Sequence, residues 1–168
     1  MKSTLKILTL VITLFALSCG GGEKKEEKTK VQLKRQPTTT KKTESKSTDT
    51  KPSKTIDLTN KGVGPITSVD ISAPVDQAMA TKGKEVFDKM CTACHRTDKK
   101  FIGPAPTGIL ERRTPEWVMN MILDPEVMTQ KDPLAKALLM EFNGSPMANQ
   151  NLTEEEARAV LEYFRTLK

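Results

Sequence analysis

The stretch Cys91-Thr92-Ala93-Cys94-His95 decides how this sequence is interpreted. It holds two of the three cysteines and the only histidine of a 168-residue chain. Two thiols three positions apart can reach the two vinyl groups on one side of a porphyrin, and the next residue then offers an imidazole to the iron. The spacing predicts covalent attachment of one haem c through Cys91 and Cys94, with His95 as an axial ligand.

Other kinds of site share parts of this pattern. A thioredoxin-like redox pair has the same cysteine spacing but follows a strand, whereas the residues before Cys91 have a helical pattern. A structural zinc site needs four ligands, and Cys19 is the only further cysteine. A disulfide between Cys91 and Cys94 has no need of His95. Haem attachment is the interpretation that uses all three side chains.

The second axial ligand is predicted among the methionines. A single histidine excludes two-histidine ligation within one molecule, and the eight methionines offer thioethers, which suit haem iron. Met147 follows Pro146 in a loop before a new helix, so we expect it to bind the iron. Met128, in a short segment between two Asp-Pro pairs, is the alternative. The remaining methionines are assigned mainly to the core.

Helical periodicity predicts an all-α domain. Apolar residues between Val75 and Met90 recur at spacings of three and four, and Gly83 among them indicates close packing against the last helix. No strand pattern competes. The helix start and stop signals are Thr114-Pro115, Asp124-Pro125, Asp132-Pro133, Asn143-Gly144 and the capping box of Thr153 with Glu156.

From about residue 76 to residue 168 the sequence resembles a class I bacterial cytochrome c. The matching motifs are Lys82–Phe87, the cysteine–histidine cluster, Ile102-Gly103-Pro104, and Ser145-Pro146-Met147 leading to Leu152-Thr153. The resemblance implies a cytochrome c-like helical domain around one covalently bound haem, with the first and last helices crossing. It also implies an axial methionine from the loop before the last helix, and a Pro104 carbonyl that accepts a hydrogen bond from His95.

The same resemblance implies a function. A haem with both axial positions filled carries single electrons between respiratory donors and a terminal reductase or oxidase, so we expect a monomeric electron-transfer protein, not an enzyme. Arg113 and Trp117 are candidates for holding the haem propionates, although a surface arginine and a core aromatic would give the same pattern. Their surroundings are similar to cytochromes that accompany nitrous oxide reductase. If Met147 is not a ligand, the alternative is a five-coordinate sensor or peroxidase-like domain.

The N-terminus has the features of an export signal. Lys2 and Lys6 precede the apolar run Ile7–Leu17, which is shorter than the about 20 residues that span a bilayer. Residues 1–18 are predicted to be a signal peptide and Cys19 a lipidated first residue, with an ordinary secretory signal as the alternative. Either signal exports the chain, and lipidation would anchor it to a bacterial membrane on the periplasmic side.

Composition divides the remaining chain into three segments, and the net charge differs between them. Residues 19–61 are rich in Lys, Glu, Thr and Ser and predict a disordered tether. Residues 62–75 predict an extended entry arm, and residues 76–168 predict the haem domain. The net charge of +6 divides into +8 for residues 1–61 (14 basic, 6 acidic) and −2 for residues 62–168 (13 basic, 15 acidic). Because the folded part is not basic, we expect no nucleic-acid partner.

Overall fold

The computed structural model describes residues 51–168, in which the regular secondary structure is helical. The predicted all-α class is confirmed, because within this range the one β-type pairing is an isolated bridge between Asp57 and Arg113. The predicted signal peptide, Cys19 and the tether up to residue 50 lie outside the described residues. The helices are α1 (Gln77–Met90), α2 (Pro115–Leu123), α3 (Pro125–Lys131), α4 (Pro133–Glu141) and α5 (Glu154–Thr166), with short 3₁₀ turns at Pro52–Lys54 and Ile109–Glu111.

Each α-helix begins at a side chain that accepts a hydrogen bond from a backbone N–H of the first turn. Such caps satisfy donors that have no partner inside the helix. The start signals predicted from the sequence are confirmed, and the segment around Met128 becomes the short helix α3. The capping residues are Asp76, Thr114, Asp124, Asp132 and Thr153. None of the helices in residues 51–168 is long and apolar enough to cross a lipid bilayer.

Helices α1 and α5 pack against each other at Gly83, as the sequence predicted. A Cβ atom added to Gly83 would lie 1.8 Å from the backbone oxygen of Ala159. One turn further along, the ring of Phe87 lies 5.6 Å from that of Tyr163 and 5.7 Å from that of Phe164. The missing side chain at Gly83 therefore lets the two backbones approach, and the aromatic rings fill the space beyond the crossing.

The core joins α2 to α3, α4 and α5. Its centre is the apolar side of α2, which includes Trp117, Val118 and Ile122. The short helices α3 and α4 each contribute one fully buried residue to this cluster, Met128 and Ala135. The buried cluster consists of Trp117, Val118, Met119, Ile122, Met128, Ala135, Ala157, Val160 and Leu161.

Residues 51–61, called here the N-terminal strap, lie on the folded domain. The backbone N–H and the hydroxyl of Ser53 donate to the carboxylate of Glu141 at 2.7 and 2.6 Å. Asn60 donates to Asp132 at 2.6 Å, and the Asp57 N–H donates to the backbone oxygen of Arg112 at 2.9 Å. The prediction that the tether extends to residue 61 is therefore wrong for this segment, because polar contacts rather than apolar side chains hold it.

The predicted entry arm, residues 62–75, contains no helix or strand and is held by two polar side chains, the buried Asn120 and the partly buried Arg165. The amide of Asn120 accepts from the Ile66 N–H at 3.0 Å and donates to the Ile66 carbonyl at 2.9 Å. Arg165 donates to the Ile71 and Ala73 carbonyls and is itself paired with the buried Glu162. These bonds satisfy the arm's backbone groups where no neighbouring strand is available.

Substitution of Gly83 by alanine should destabilise the fold. The added methyl meets backbone rather than a movable side chain, so the helices must separate, at a cost of about 2 kcal/mol in the free energy of unfolding. The exposed Lys82→Ala on the same helix should stay within about 0.5 kcal/mol of the wild type. Denaturant unfolding of the holoprotein measures both, and equal stability of the two variants would contradict this packing.

Candidate haem site

A cavity of about 490 Å³ lies among α1, α2, α4, α5 and the loops between them. Its volume is within the range of ligand and cofactor sites in proteins. Apolar side chains from α1, α2, α4 and α5 form most of its wall, including Phe87, Ile122, Leu138 and Phe164. All the sequence-predicted site residues of the described part line it, namely Cys91, Cys94, His95, Pro104, Arg113, Trp117 and Met147.

The two cysteines lie in a tight turn at the end of α1. The Cys91 N–H still donates to the Phe87 carbonyl at 2.9 Å, and the Cys91 carbonyl accepts from the N–H groups of Cys94 and His95 at 3.1 and 2.9 Å. Both thiols are free. Burial raises the pKa of Cys91 to about 11. Redox-active cysteine pairs have lowered thiol pKa values, so this environment disfavours the thioredoxin-like alternative.

The orientation of His95 is defined by a hydrogen bond to the backbone. Its Nδ1 lies 2.8 Å from the carbonyl oxygen of Pro104, which can only accept, so Nδ1 carries the proton. This is the hydrogen bond that the resemblance implied, and it leaves Nε2 as the acceptor nitrogen. Gly103 packs against the ring: a Cβ there would lie 2.5 Å from Cε1 of His95. The imidazole is therefore held on two sides.

The methionines separate into two groups. Met147 lines the cavity, and its loop is held by the Gly144 N–H, which donates to the Leu139 carbonyl at 2.8 Å. Met121 also lines the cavity. Met128 is completely buried elsewhere, where its sulfur accepts from the Val63 N–H at 3.1 Å. The structure thus disfavours Met128 as the alternative ligand and puts Met121, which the sequence analysis had placed among core residues, in its place.

Two adjacent arginines bring positive charge to the cavity. Arg113 is only 1% exposed, and its terminal nitrogens donate to the carbonyls of Thr55, Pro52 and Arg112. Burial, and secondarily the charge of Arg112, lower the pKa of Arg113, although an arginine stays protonated at neutral pH. The Nε–H groups of both arginines are buried without a hydrogen-bond partner. An anionic group in the cavity would supply that partner.

Trp117 reaches the cavity through its ring. Its indole N–H donates to Asp132 at 3.2 Å, so this donor already has a partner inside the protein. The Arg113 guanidinium lies 5.3 Å from the centre of the Trp117 ring, within the range of a cation–π contact. The two predicted propionate contacts therefore differ, because Arg113 has an unpartnered donor and Trp117 does not.

The residues around the cavity fit a haem. Two thiols, an imidazole with an acceptor nitrogen and a thioether face the same apolar space, and buried arginine donors lie at its edge. In residues 51–168, no group of three or more His, Cys, Asp or Glu side chains is arranged to hold a metal ion directly. A porphyrin with two carboxylates matches the apolar wall and the cationic edge together.

Comparison with known proteins agrees with this geometry. A family model described as cytochrome c matches residues 80–168. The chain belongs to the cytochrome c family. Members of this family bind one covalent haem c and are electron-transfer proteins rather than enzymes, so haem c is the cofactor of this cytochrome.

Individual relatives agree with the family model. A cytochrome c2 of Rhodopseudomonas palustris is 28% identical over 113 residues, which cover 53% of this chain and 98% of the relative. The solved structure of a cytochrome c from Rhodothermus marinus is 43% identical, with a TM-score of 0.60, and covers 62% of this chain and 89% of its own. An engineered form of that protein is 42% identical, with a TM-score of 0.59, and covers 62% of this chain and 90% of its own.

Substitution of Gly103 by alanine should disturb His95 in the assembled cytochrome. The added methyl crowds the imidazole, so we expect a high-spin fraction in the visible spectrum of the oxidised protein. Lys82→Ala is the control, because this exposed side chain of α1 does not line the cavity, and its spectrum should equal that of the wild type. Unchanged spectra for both variants would show that Gly103 does not constrain the ring.

Proposed function

We propose that this protein is a monohaem electron carrier in which His95 and Met147 bind the iron. The observation that carries the proposal is the convergence of Cys91, Cys94, His95 and Met147 on one cavity. The cysteines come from the end of α1 and the methionine from the loop before α5, so the folded chain surrounds the cavity from both ends of the domain.

Each residue has a separate task in this proposal. The thiols of Cys91 and Cys94 would hold haem c through two thioethers, each the product of S–H addition to a vinyl group, which changes no oxidation state. The Pro104 carbonyl holds the proton on Nδ1 of His95, which directs Nε2 to the iron and increases its basicity. When bound, haem c supplies a one-electron Fe(III)/Fe(II) couple. The apolar wall excludes water and favours the less charged ferrous form.

The number of axial ligands on the iron distinguishes an electron carrier from a sensor or peroxidase-like domain. With His95 and Met147 both bound, no position is open for a gas or a peroxide. A five-coordinate sensor or peroxidase-like domain would need an open position, and peroxidase chemistry also calls for a distal base. The chain has a single histidine, and in the cavity wall Glu141 already accepts two hydrogen bonds from Ser53.

The location follows from the sequence signals and from the family. Bacterial cytochromes c work outside the cytoplasm. We infer that Cys19 carries lipid and that the residues after it hold the haem domain near a membrane, where it exchanges electrons with a donor protein and a terminal reductase or oxidase. A nitrous oxide reductase is one acceptor of this kind. Without the signal peptide, residues 19–61 carry +6 (12 basic, 6 acidic), which fits an anionic membrane surface.

Replacement of Met147 by alanine should remove the axial thioether. We expect the oxidised protein to lose the weak red band of methionine-to-iron coordination, its reduction potential to fall, and the reduced protein to bind carbon monoxide readily. Met121→Ala is the matched control, because it removes the other methionine of the cavity wall. It should keep the band and the low affinity for carbon monoxide.

The opposite pattern would change the assignment. Loss of the red band in Met121→Ala with its retention in Met147→Ala would make Met121 the ligand. A wild-type protein that is high-spin and binds carbon monoxide would favour the sensor.

Replacement of Cys19 by serine tests the anchor separately from the haem. The variant should move from the membrane fraction to the soluble periplasmic fraction, because the acceptor thiol for the lipid is gone. Its haem content and visible spectrum should equal those of the wild type, since the cavity lies in residues 51–168. A wild-type protein that is itself soluble would contradict lipidation.

A further inference from the structure

The contacts of the N-terminal strap converge on Arg113. The strap's carbonyls at Pro52 and Thr55 accept from the terminal nitrogens of this guanidinium, and the strap's Asp57 forms the isolated bridge with the Arg113 backbone. These bonds occupy the outer end of the arginine. Its inner donor, the Nε–H, is buried and has no partner.

The strap also forms part of the cavity wall. Lys51, Ser53 and Lys54 line the cavity beside Arg113 and Glu141. Ser53 joins this edge to α4 through its two hydrogen bonds to Glu141. Polar and charged residues are thus gathered at an edge of a cavity whose wall is otherwise mainly apolar, and the strap supplies the acceptors that keep Arg113 away from water.

We propose that the strap is a positioning element for Arg113: it aims the Nε–H at the carboxylate edge of the bound haem and thereby raises the reduction potential of this cytochrome. The proposal rests on haem binding as proposed above. A buried cation near the iron disfavours the additional positive charge of the ferric form, and its effect is stronger where water is excluded. Arg113 is 1% exposed, and the strap carbonyls of Pro52 and Thr55 accept from its terminal nitrogens.

Other charged groups around Arg113 also act on its guanidinium and therefore on its electrostatic effect at the haem. Arg112 adds a second positive charge, whereas Asp57, Asp132 and Glu141 are the carboxylates that act on the guanidinium. Glu141 is bound to Ser53 and Asp132 to Asn60, so both carboxylates are oriented by the strap as well. Loosening the strap would expose the arginine to water and weaken its influence on the iron.

A double-mutant cycle in the full-length holoprotein tests the proposal. Ser53→Pro removes both donors to Glu141 and disfavours the helical turn at Pro52, which should loosen the strap. We expect the ferrous-to-ferric ratio at a fixed ambient potential to fall threefold to about tenfold, where tenfold corresponds to about 59 mV. In an Arg113→Gln background the same change should have little further effect. Ile56→Ala, at an exposed position of the strap, should keep the wild-type potential.

Additive effects of Ser53→Pro and Arg113→Gln, or an unchanged potential in Ser53→Pro, would overturn the proposal. If Arg113→Gln does not accumulate as holoprotein, Arg113→Leu takes its place, since it also removes the charge and introduces no polar side chain at the buried position. The axial ligation is read independently from the red band. A high-spin wild type would therefore overturn the proposed ligation while the cycle of potentials still reported on the strap.

Discussion

The contact between Gly83 and the backbone of Ala159 determines how near α1 and α5 lie, and the haem site depends on that distance. Helix α1 ends at Met90 and delivers the cysteine turn, whereas α5 contributes Val160 and Phe164 to the cavity wall. The rings of Phe87, Tyr163 and Phe164 connect the crossing to the cavity. A larger residue at Gly83 would separate the two helices that border the cofactor site.

Around this crossing, the cavity replaces part of the apolar core that a helical domain of this size would otherwise need. The buried cluster is built mainly from α2 and α5, with one residue each from α3 and α4. Further apolar side chains, including Phe87, Leu138 and Phe164, face the cavity, where a porphyrin would fill the space between them. The cofactor is therefore part of the packing as well as the source of the redox chemistry. The residues that line the cavity contribute to the packing and to cofactor binding at the same time.

The distribution of charge differs between the N-terminal residues and the folded domain. The positive excess of the whole chain lies in residues 1–61, and residues 62–168 carry −2. Inside the domain, Arg113 is a buried cation whose outer nitrogens bind carbonyls of the strap. The excess of positive charge therefore belongs to the N-terminal residues, whereas Arg113 is a single cation buried at the edge of the cavity.

Local sequence features were enough to predict the helices and the haem-attachment motif, because caps, proline positions and the cysteine–histidine spacing depend only on neighbouring residues. The sequence also predicted the crossing at Gly83 and the loop position of Met147. Only the tertiary structure decided that Met121 rather than Met128 shares the cavity with Met147, and that residues 51–61 belong to the domain. Those results depend on contacts between distant segments, such as Arg113 with Pro52 and Ser53 with Glu141, which leave no periodic pattern in the sequence.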